Sequence, residues 1–203
     1  RRFLADPAGT QARLLRRLLR RAAHTEWGRR YGFAELARAR DVVRTYQARV
    51  PLHTYDDLRD DVARMRRGEA DICWPGRIHH FAVSSGTASE GTLIPVSREM
   101  LRADRRFSIE VGLNYLLQSG RPDFLRGRHL ALPGRADEDP RYPGTWAGEI
   151  SGLVARYAPW YVRLFYQAVP DRLLMLPNWE EKLRAIARHT ACKDIRLVVM
   201  APT

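Results

Sequence analysis

The chain has 203 residues, of which 45% are hydrophobic, and a formal net charge of +12. This length suffices for one ordinary domain with a sizeable core, and no apolar run approaches the ~20 residues that a membrane helix needs. Cysteine occurs twice, at Cys73 and Cys192, so neither a disulfide framework nor a cysteine-based metal site is indicated. We therefore expect a globular, cytoplasmic protein that is not embedded in a membrane.

The positive charge comes almost entirely from arginine, because only Lys182 and Lys193 among the 35 basic residues are lysines. A basic surface attracts polyanions in general, yet no zinc-finger, basic-zipper or ribonucleoprotein motif accompanies it. Abundant arginine beside alanine is typical of GC-rich coding, which predicts a bacterial source and disfavours selection for nucleic-acid contact. A basic module that binds a polyanion or nucleic acid stays open as an alternative function.

The first third of the chain is predicted to be helical. Apolar residues recur at helical spacing over residues 10–24, with a solvated arginine face opposite. A second helix is expected over residues 33–49, ending before Pro51. A third should follow Thr54, which can act as an N-cap with acidic residues in the first turn.

Strands and helices alternate in the rest of the chain, which indicates an α/β fold behind the helical N-terminal segment. Residues 79–83 and 92–96 are predicted strands, and Ser97 can cap a helix over residues 98–118. On that helix Met100, Phe107, Val111 and Tyr115 are spaced to form one buried stripe. Further expected elements are a strand over 128–132, a loop over 134–144, helices over 158–167 and 179–189, and a buried strand over 195–200.

A hydroxyl- and glycine-rich segment between the two predicted strands has the composition of a phosphate-binding loop. It contains Ser84, Ser85, Gly86, Thr87 and Ser89. Hydroxyls donate hydrogen bonds to anionic oxygens, and glycines that adopt positive φ let successive backbone N–H groups converge on one concavity. The segment lacks the pattern of a Walker loop and of a dinucleotide fingerprint. On composition alone, an ordinary hairpin turn is the favoured description, and phosphate binding is the alternative.

Seven stretches occur in one order along the chain. They are TEWGRRYGF (25–33), VPLHTYDDL (50–58), MRRGE (65–69), WPG (74–76), SSGTASEG (84–91), WAGEISG (146–152) and NWEEKL (178–183). This ordered set resembles the auxin-responsive-promoter family of acyl-acid amido synthetases, which are adenylate-forming enzymes. The resemblance runs through nearly the whole chain, and the set is more specific than any one of its members.

The resemblance implies that residues 1–203 are the N-terminal portion of an adenylate-forming domain, and thus a fragment that is inactive alone. The parent would be an ATP-dependent ligase that activates a small carboxylic acid as an acyl-adenylate and transfers it to an amino acid. Ser84, Ser85, Gly86, Thr87 and Ser89 would then surround the β- and γ-phosphates of ATP. The Mg²⁺ ligands and the adenine site are expected outside this chain, and no catalytic or metal-binding residue is expected within it.

One departure from the family pattern concerns the end of the loop. The family usually has a lysine there, whereas this chain has Thr92 and a loop that is one residue shorter. The positive charge on the phosphates would then be missing unless another residue such as Arg98 replaces it. A catalytically degraded relative that keeps the fold is therefore a further possibility.

Other polar and apolar residues have both a functional and a structural interpretation. Glu149 is the only charged residue of WAGEISG, and a structural role is favoured because no second acid accompanies it at a suitable spacing. The pair His79 and His80 should point to opposite faces of a strand, which favours structural roles over a shared metal. The acids of residues 137–139 are expected to form a solvated turn. Leu101, Phe107 and Val111 suit either an acyl-acid pocket or the core.

Overall fold

The computed structural model describes residues 5–84 and 92–200. The helices are α1 (Pro7–Ala22), α2 (Glu26–Arg30), α3 (Phe33–Leu36), α4 (Val42–Arg49), α5 (Tyr55–Arg66), α6 (Arg98–Ser119), α7 (Ile150–Arg156), α8 (Asp171–Leu174) and α9 (Trp179–Thr190). The strands are β1 (His80–Val83), β2 (Leu93–Val96), β3 (Arg128–Leu132), β4 (Ala136–Glu138), β5 (Trp146–Gly148) and β6 (Ile195–Met200). A 3₁₀ turn spans Pro122–Leu125 and a π-helical turn spans Val162–Tyr166. The described part of the chain contains no helix of the length and apolarity that a membrane span requires.

Helices α1 to α4 pack around a small apolar core that includes Leu19, Leu36 and Val42. The expected helix over residues 10–24 is confirmed as α1. The single helix expected over residues 33–49 is wrong, because the chain leaves helical geometry after α3. Asp41 then caps α4 by accepting a hydrogen bond of 3.1 Å from the Arg44 backbone N–H, so the segment forms two short helices.

The helix expected after Thr54 is confirmed as α5. The Thr54 backbone N–H donates to the Asp57 carboxylate over 2.7 Å, and a capping box fixes the start of the helix. Ser97 likewise caps α6, because its hydroxyl oxygen accepts from the Met100 backbone N–H over 3.0 Å. Both start signals were visible in the sequence.

The main sheet has four strands in the order β2–β1–β5–β4. Strand β1 runs antiparallel to β2 and parallel to β5, and β4 runs antiparallel to β5. A separate parallel pair joins β3 to β6. The α/β class and the four predicted strands are therefore confirmed, as is the helix over 179–189. Three elements lie in stretches where the sequence indicated no regular structure, namely strand β4 within the expected loop 134–144, strand β5 and helix α7.

Glycine is required where β5 meets α7. Gly148 has a φ of 154°, and a Cβ added there would lie 2.2 Å from the Arg135 carbonyl oxygen. The two segments are close enough here for a hydrogen bond: the Glu149 backbone N–H donates to the Arg135 carbonyl oxygen over 2.7 Å. This bond joins the end of β5 to the turn that precedes β4.

Alternation along β1 places its side chains against two different clusters of the core. Phe81 packs with Val62 and Met65 of α5 on one face, while Ala82 packs with Leu101 of α6 and Leu153 of α7 on the other. His80 shares the face of Ala82, because residues two apart on a strand lie on the same side. This register puts the His80 side chain beneath α7.

Three expectations about burial and helix placement are wrong. The stripe Met100, Phe107, Val111 and Tyr115 is exposed, and Leu101 is the buried residue of α6. The strand β6 exists, but the side chains of residues 198–200 are more than half exposed. The helix expected over residues 158–167 is wrong in extent and type, because Val162–Tyr166 form a π-helical turn. Helical or strand spacing shows which residues share a face, whereas burial depends on whether another element covers that face.

Candidate functional site

The β1–β2 hairpin brackets the predicted phosphate loop. The Ser84 backbone N–H donates to the Thr92 carbonyl oxygen over 3.0 Å and closes the base of the loop. Ser84 is half-buried at the carboxyl end of β1, whereas Ser85, Gly86, Thr87 and Ser89 lie outside the described residues. Strands β1 and β5 are parallel and end at the same sheet edge, which is where α/β sheets bind ligands.

The structure places Thr92 at the base of the loop and Arg98 far from it. In the hairpin register Leu93 faces Val83, and Val96 faces His80 at the other end of β1. At ~3.3 Å per strand residue, the backbone at Val96 lies roughly 13 Å from the loop base. Arg98 follows beyond that point, so its position gives no support to the idea that it replaces the lysine missing at residue 92.

A buried lysine lies near the carboxyl ends of β3 and β5. The Lys182 side chain is 1% exposed, and its ammonium group donates to the Pro133 carbonyl oxygen over 2.8 Å. Burial lowers the pKa of Lys182; the charge of Glu149 opposes this shift, and that of Arg135 adds to it. Sequence reasoning missed this residue. Lys182 is one of two lysines in the chain and lies within NWEEKL, which was a usable indication.

Glu149 takes up a structural position at the start of α7. Its side chain is exposed and makes no capping bond to the helix, although it is the N-cap residue. Gly134 approaches it so closely that an added Cβ would lie 2.0 Å from the carboxylate. The structural role that the sequence favoured for Glu149 is consistent with this placement.

A cavity of about 820 Å³ lies between α6, the end of α7, the π-helical turn and the β3–β6 pair. Its wall is mainly apolar and includes Leu101, Ile109, Leu113, Val162 and Leu197. Of the three residues proposed for an acyl-acid pocket, Leu101 lines this cavity. Phe107 and Val111 are not among its described lining residues and are exposed elsewhere on α6.

Three arginines of α6 line the same cavity. Arg98, Arg102 and Arg105 follow the i, i+4, i+7 spacing that places side chains on one helix face. Within the described residues none of them forms an ion pair or a side-chain hydrogen bond. Like charges at this spacing destabilise a helix, so an anion held beside them would relieve that repulsion. A second cavity of about 240 Å³ shares Arg98 and Arg102.

A buried histidine lies directly behind the cavity wall. His80 is 1% exposed, and its Nε2 is 2.5 Å from the hydroxyl oxygen of Tyr157, which lines the cavity. The two rings are perpendicular, at 89° and 4.9 Å between centroids. Burial, together with the positive charges of His79, Arg98 and Arg156, lowers the pKa of His80 to about 4. The imidazole is therefore neutral at pH 7.

The two adjacent histidines have separate partners. His79 donates from Nδ1 to the Gly144 carbonyl oxygen over 3.0 Å, whereas His80 is bonded to Tyr157 from the other face of the strand. The structural roles that the sequence favoured are consistent with these contacts. Sequence spacing gave no indication of the partnership with Tyr157, which is 77 residues away.

The solvated turn expected at residues 137–139 is wrong: Asp137 and Glu138 are solvated but lie on a strand, and Asp139 is buried. Asp139 is 6% exposed and accepts hydrogen bonds from the Arg66 guanidinium and, over 3.0 Å, from the Arg141 backbone N–H. Burial opposes ionisation of Asp139, but these bonds outweigh it and lower its pKa. Asp137 and Glu138 lie on β4 with exposed side chains.

The arginine face of α1 is partly occupied by contacts within the protein. Arg16 donates to two backbone carbonyls, and Arg13 and Arg21 form ion pairs. In the described part of the chain, Arg17 and Arg20 are the arginines of this face without such a partner. The surface offered to a polyanion is therefore smaller than the helical wheel indicates.

No group of three or more histidine, cysteine, aspartate or glutamate side chains within residues 5–84 and 92–200 could hold a metal ion. We therefore assign no residue of this part to magnesium.

Comparison with known proteins identifies the family. Residues 1–185 match the GH3 family N-terminal domain. The chain belongs to the GH3 family. This match confirms the resemblance to acyl-acid amido synthetases drawn from the seven ordered stretches. It covers the α1–α4 unit, the main sheet, the hairpin and most of α9.

Curated relatives include plant amido synthetases. The rice "Probable indole-3-acetic acid-amido synthetase GH3.1" is 34% identical over 108 residues, which are 52% of this chain and 17% of that protein. The Arabidopsis thaliana "Indole-3-acetic acid-amido synthetase GH3.2" is 32% identical over 103 residues, or 50% of this chain and 18% of that protein. The aligned regions thus span less than a fifth of these relatives. Both are plant proteins, so the bacterial source stays a prediction.

A solved structure shares the fold. The "GH3.15 acyl acid amido synthetase" superposes with a TM-score of 0.66 at 20% identity, covering 89% of this chain and 31% of that one. A second solved structure, "AtGH3.15 acyl acid amido synthetase in complex with 2,4-DB", superposes with a TM-score of 0.54 at 24% identity, covering 72% of the present chain and 26% of that one. At these identities the likeness establishes the fold, which is the N-terminal part of the GH3 acyl acid amido synthetase fold.

Proposed function

We propose that this chain supplies the phosphate-binding hairpin and the acid cavity of an ATP-dependent acyl-acid amido synthetase. In that reaction a carboxylate displaces pyrophosphate from ATP, and the amine of an amino acid then takes the acyl group and releases AMP. The observation that carries the proposal is the apolar cavity of about 820 Å³ with three arginines on one wall that have no ion-pair partner among residues 5–84 and 92–200. Apolar walls suit the body of an organic acid, and the arginines favour an anionic ligand over a neutral one.

The nucleotide would be held by Ser84, Ser85, Gly86, Thr87 and Ser89. Support comes from the position of Ser84 at the carboxyl end of β1, from the hydroxyl-rich composition of the segment, and from family membership. Hydroxyl and backbone donors there would steady the departing pyrophosphate. A single preorganised donor at developing charge contributes roughly 3 kcal/mol to such a step.

We assign residues 1–203 to the N-terminal portion of the adenylate-forming domain. The adenine site and the Mg²⁺ ligands would then come from other parts of the protein; bound Mg²⁺ would neutralise phosphate charge. The free cysteines Cys73 and Cys192 favour a reducing compartment, in keeping with a cytoplasmic enzyme.

The test is pyrophosphate release that depends on an added amino acid, measured across a panel of carboxylic acids with the longest natural form of the protein that includes this chain. Ser84→Ala and Thr87→Ala should each lower release about 100-fold, because each removes a donor to the phosphates. Thr10→Ala removes a hydroxyl in α1 and should leave release unchanged.

Two results would contradict the proposal. One is release that the loop variants leave intact. The other is a well-folded protein that releases no pyrophosphate with any acid of the panel; this second result would favour the degraded relative, in which Thr92 has removed the activity while the fold persists.

A further inference from the structure

The proton arrangement of the His80–Tyr157 pair decides what Tyr157 offers to the cavity. His80 Nε2 lies 2.5 Å from the Tyr157 hydroxyl oxygen, and the buried Nδ1 has no hydrogen-bond partner within the described residues. A neutral imidazole has one N–H and one lone pair. Either Nε2–H donates to the tyrosine oxygen, or the tyrosine O–H donates to Nε2 and Nδ1 keeps an unpaired proton.

The surroundings of His80 favour the first arrangement. Buried N–H groups without a hydrogen-bond acceptor are rarer in proteins than buried acceptors without a donor. The Nδ1 atom, which has no partner among the described residues, is therefore more stable with a lone pair than with a proton. Burial and the positive charges of Arg98 and Arg156 keep the ring neutral, so that it has a single N–H to place. With the proton on Nε2, the Tyr157 hydroxyl is free to donate its own proton to an acceptor in the cavity.

Arg98 adds a positive charge near the same part of the wall. It lines the cavity together with Tyr157, and its charge acts on the His80 ring to which Tyr157 is bonded. A hydroxyl donor and an unpaired guanidinium are the groups that bind a carboxylate. Neighbouring Arg102 and Arg105 strengthen the preference for an anion over a neutral acceptor.

The location of this pair relative to the loop indicates which carboxylate it would bind. His80 is at the amino end of β1, and the loop base at Ser84 is at the carboxyl end, roughly 13 Å away along the strand at ~3.3 Å per residue. The carboxylate that reacts with ATP must lie by the loop. A group beside Tyr157 therefore belongs to the opposite end of a bound acid.

We propose that the Tyr157 hydroxyl, oriented by His80, and the Arg98 guanidinium form a subsite for a second carboxylate at the far end of the substrate acid, so that the preferred substrates are elongated dicarboxylic acids. This inference rests on the proposed function for the identity of the reacting end. Tyr157 and Arg98 touch the substrate and determine specificity, and His80 is a positioning residue.

The subsite can be tested without ATP by calorimetry on the longest natural form of the protein that includes this chain. The probes are decanedioic acid mono-methylamide, which has one free carboxylate, and the N-methylamide of decanoic acid, which has none. The first should bind about tenfold more tightly. Tyr157→Phe and Arg98→Gln should each weaken it about tenfold, as expected for a hydrogen bond to a charged group, and leave the neutral amide unchanged. Tyr46→Phe removes a hydroxyl in α4, away from the cavity, and should alter neither.

Two further measurements separate the subsite from the activity. Long-range ¹H–¹⁵N correlation of wild-type imidazoles should show the proton of His80 on Nε2; a proton on Nδ1 would overturn the argument. With ATP and an amino acid present, decanedioate should release pyrophosphate with a higher kcat/KM than decanoate. A Tyr157→Phe defect that appears equally with decanoate would overturn the far-end assignment. Tight, Tyr157-dependent probe binding without any release would retain the subsite and reject the synthetase function.

Discussion

Lys182 of α9 donates a hydrogen bond of 2.8 Å to the carbonyl oxygen of Pro133, the residue that follows β3. The ammonium also lies 5.1 Å from the centroid of the Trp179 ring. With 1% of the side chain exposed, this bond joins the helix to the end of the strand in the interior. The lysine therefore connects NWEEKL to the turn on which Glu149 packs.

We expect Lys182→Met to lower the free energy of unfolding by about 1–2 kcal/mol, because it leaves the Pro133 carbonyl buried without a donor. Lys182→Glu should cost more than about 3 kcal/mol, since it buries an anion against a carbonyl near Glu149. Urea unfolding followed by circular dichroism measures both. Arg184→Met is the control, an exposed position on the same helix where the change should stay within about 0.5 kcal/mol. A Lys182→Met protein more stable than wild type would show that burial of the charge outweighs the bond.

The stability of the fold should depend on pH through His80. Its pKa is lowered to about 4 in the fold by burial, His79, Arg98 and Arg156, against about 6.5 in the unfolded chain. Between these values the unfolded chain binds a proton that the folded chain does not. The free energy of unfolding is therefore not reduced by His80 above pH 6.5. It decreases as the pH falls from 6.5 to about 4, by up to about 1.4 kcal/mol per pH unit.

Urea titrations from pH 7 to pH 4 test this dependence. His80→Phe removes the titrating group and should flatten the pH dependence over this window, even though the variant loses the bond to Tyr157. His24→Gln changes an exposed histidine and should keep the wild-type slope. Equal slopes in wild type and His80→Phe would mean that other groups cause the loss.

The starts of two helices could be predicted from the sequence, because helix capping depends on residues that are neighbours in the chain. Thr54 and Ser97 cap α5 and α6 because a hydroxyl before an acidic or apolar helical run satisfies free backbone N–H groups. Strand β5 was missed because three residues, Trp146–Gly148, are too few for a period of two to be recognised. Its place in the sheet depends on pairing with β1, a contact that is distant in sequence.

The candidate site was predictable only in part for the same reason. The loop is contiguous, so its composition alone predicted phosphate binding. The arginines of α6 were also visible as like charges on one helix face, which was a usable indication of an anion site. The bond between His80 and Tyr157 brings together two residues from distant parts of the chain, and only the fold could reveal it.

Asp139→Asn should lower the free energy of unfolding by about 3 kcal/mol. The carboxylate pairs with the Arg66 guanidinium, whose side chain is 21% exposed, and its loss leaves that cation poorly solvated and unpaired. Asp137→Asn, at a 62% exposed acid on the adjacent strand, should cost less than about 0.5 kcal/mol. Thermal and urea unfolding would measure the two changes.

The same variants should respond differently to acid. Because the pKa of Asp139 is lowered in the fold, its contribution is present above the unfolded value of about 3.9 and is lost as the pH falls through the folded value. The stability gap between wild type and Asp139→Asn should therefore narrow below about pH 4. A gap that is constant with pH would mean that the carboxylate charge is not what stabilises Arg66.

Thr92→Lys tests whether the departure at the loop end limits nucleotide binding, on the basis of the proposed function. The Ser84–Thr92 hydrogen bond is between backbone atoms, so the substitution leaves the loop base intact and adds a cation beside the phosphates. Charge-assisted bonds to phosphate should tighten Mg-ATP binding about tenfold in calorimetry. Gln118→Lys adds the same charge at the exposed end of α6 and should leave the affinity unchanged. Equal tightening by both variants would indicate a nonspecific charge effect, and no change in either would mean that the chain binds ATP without needing a lysine at this position.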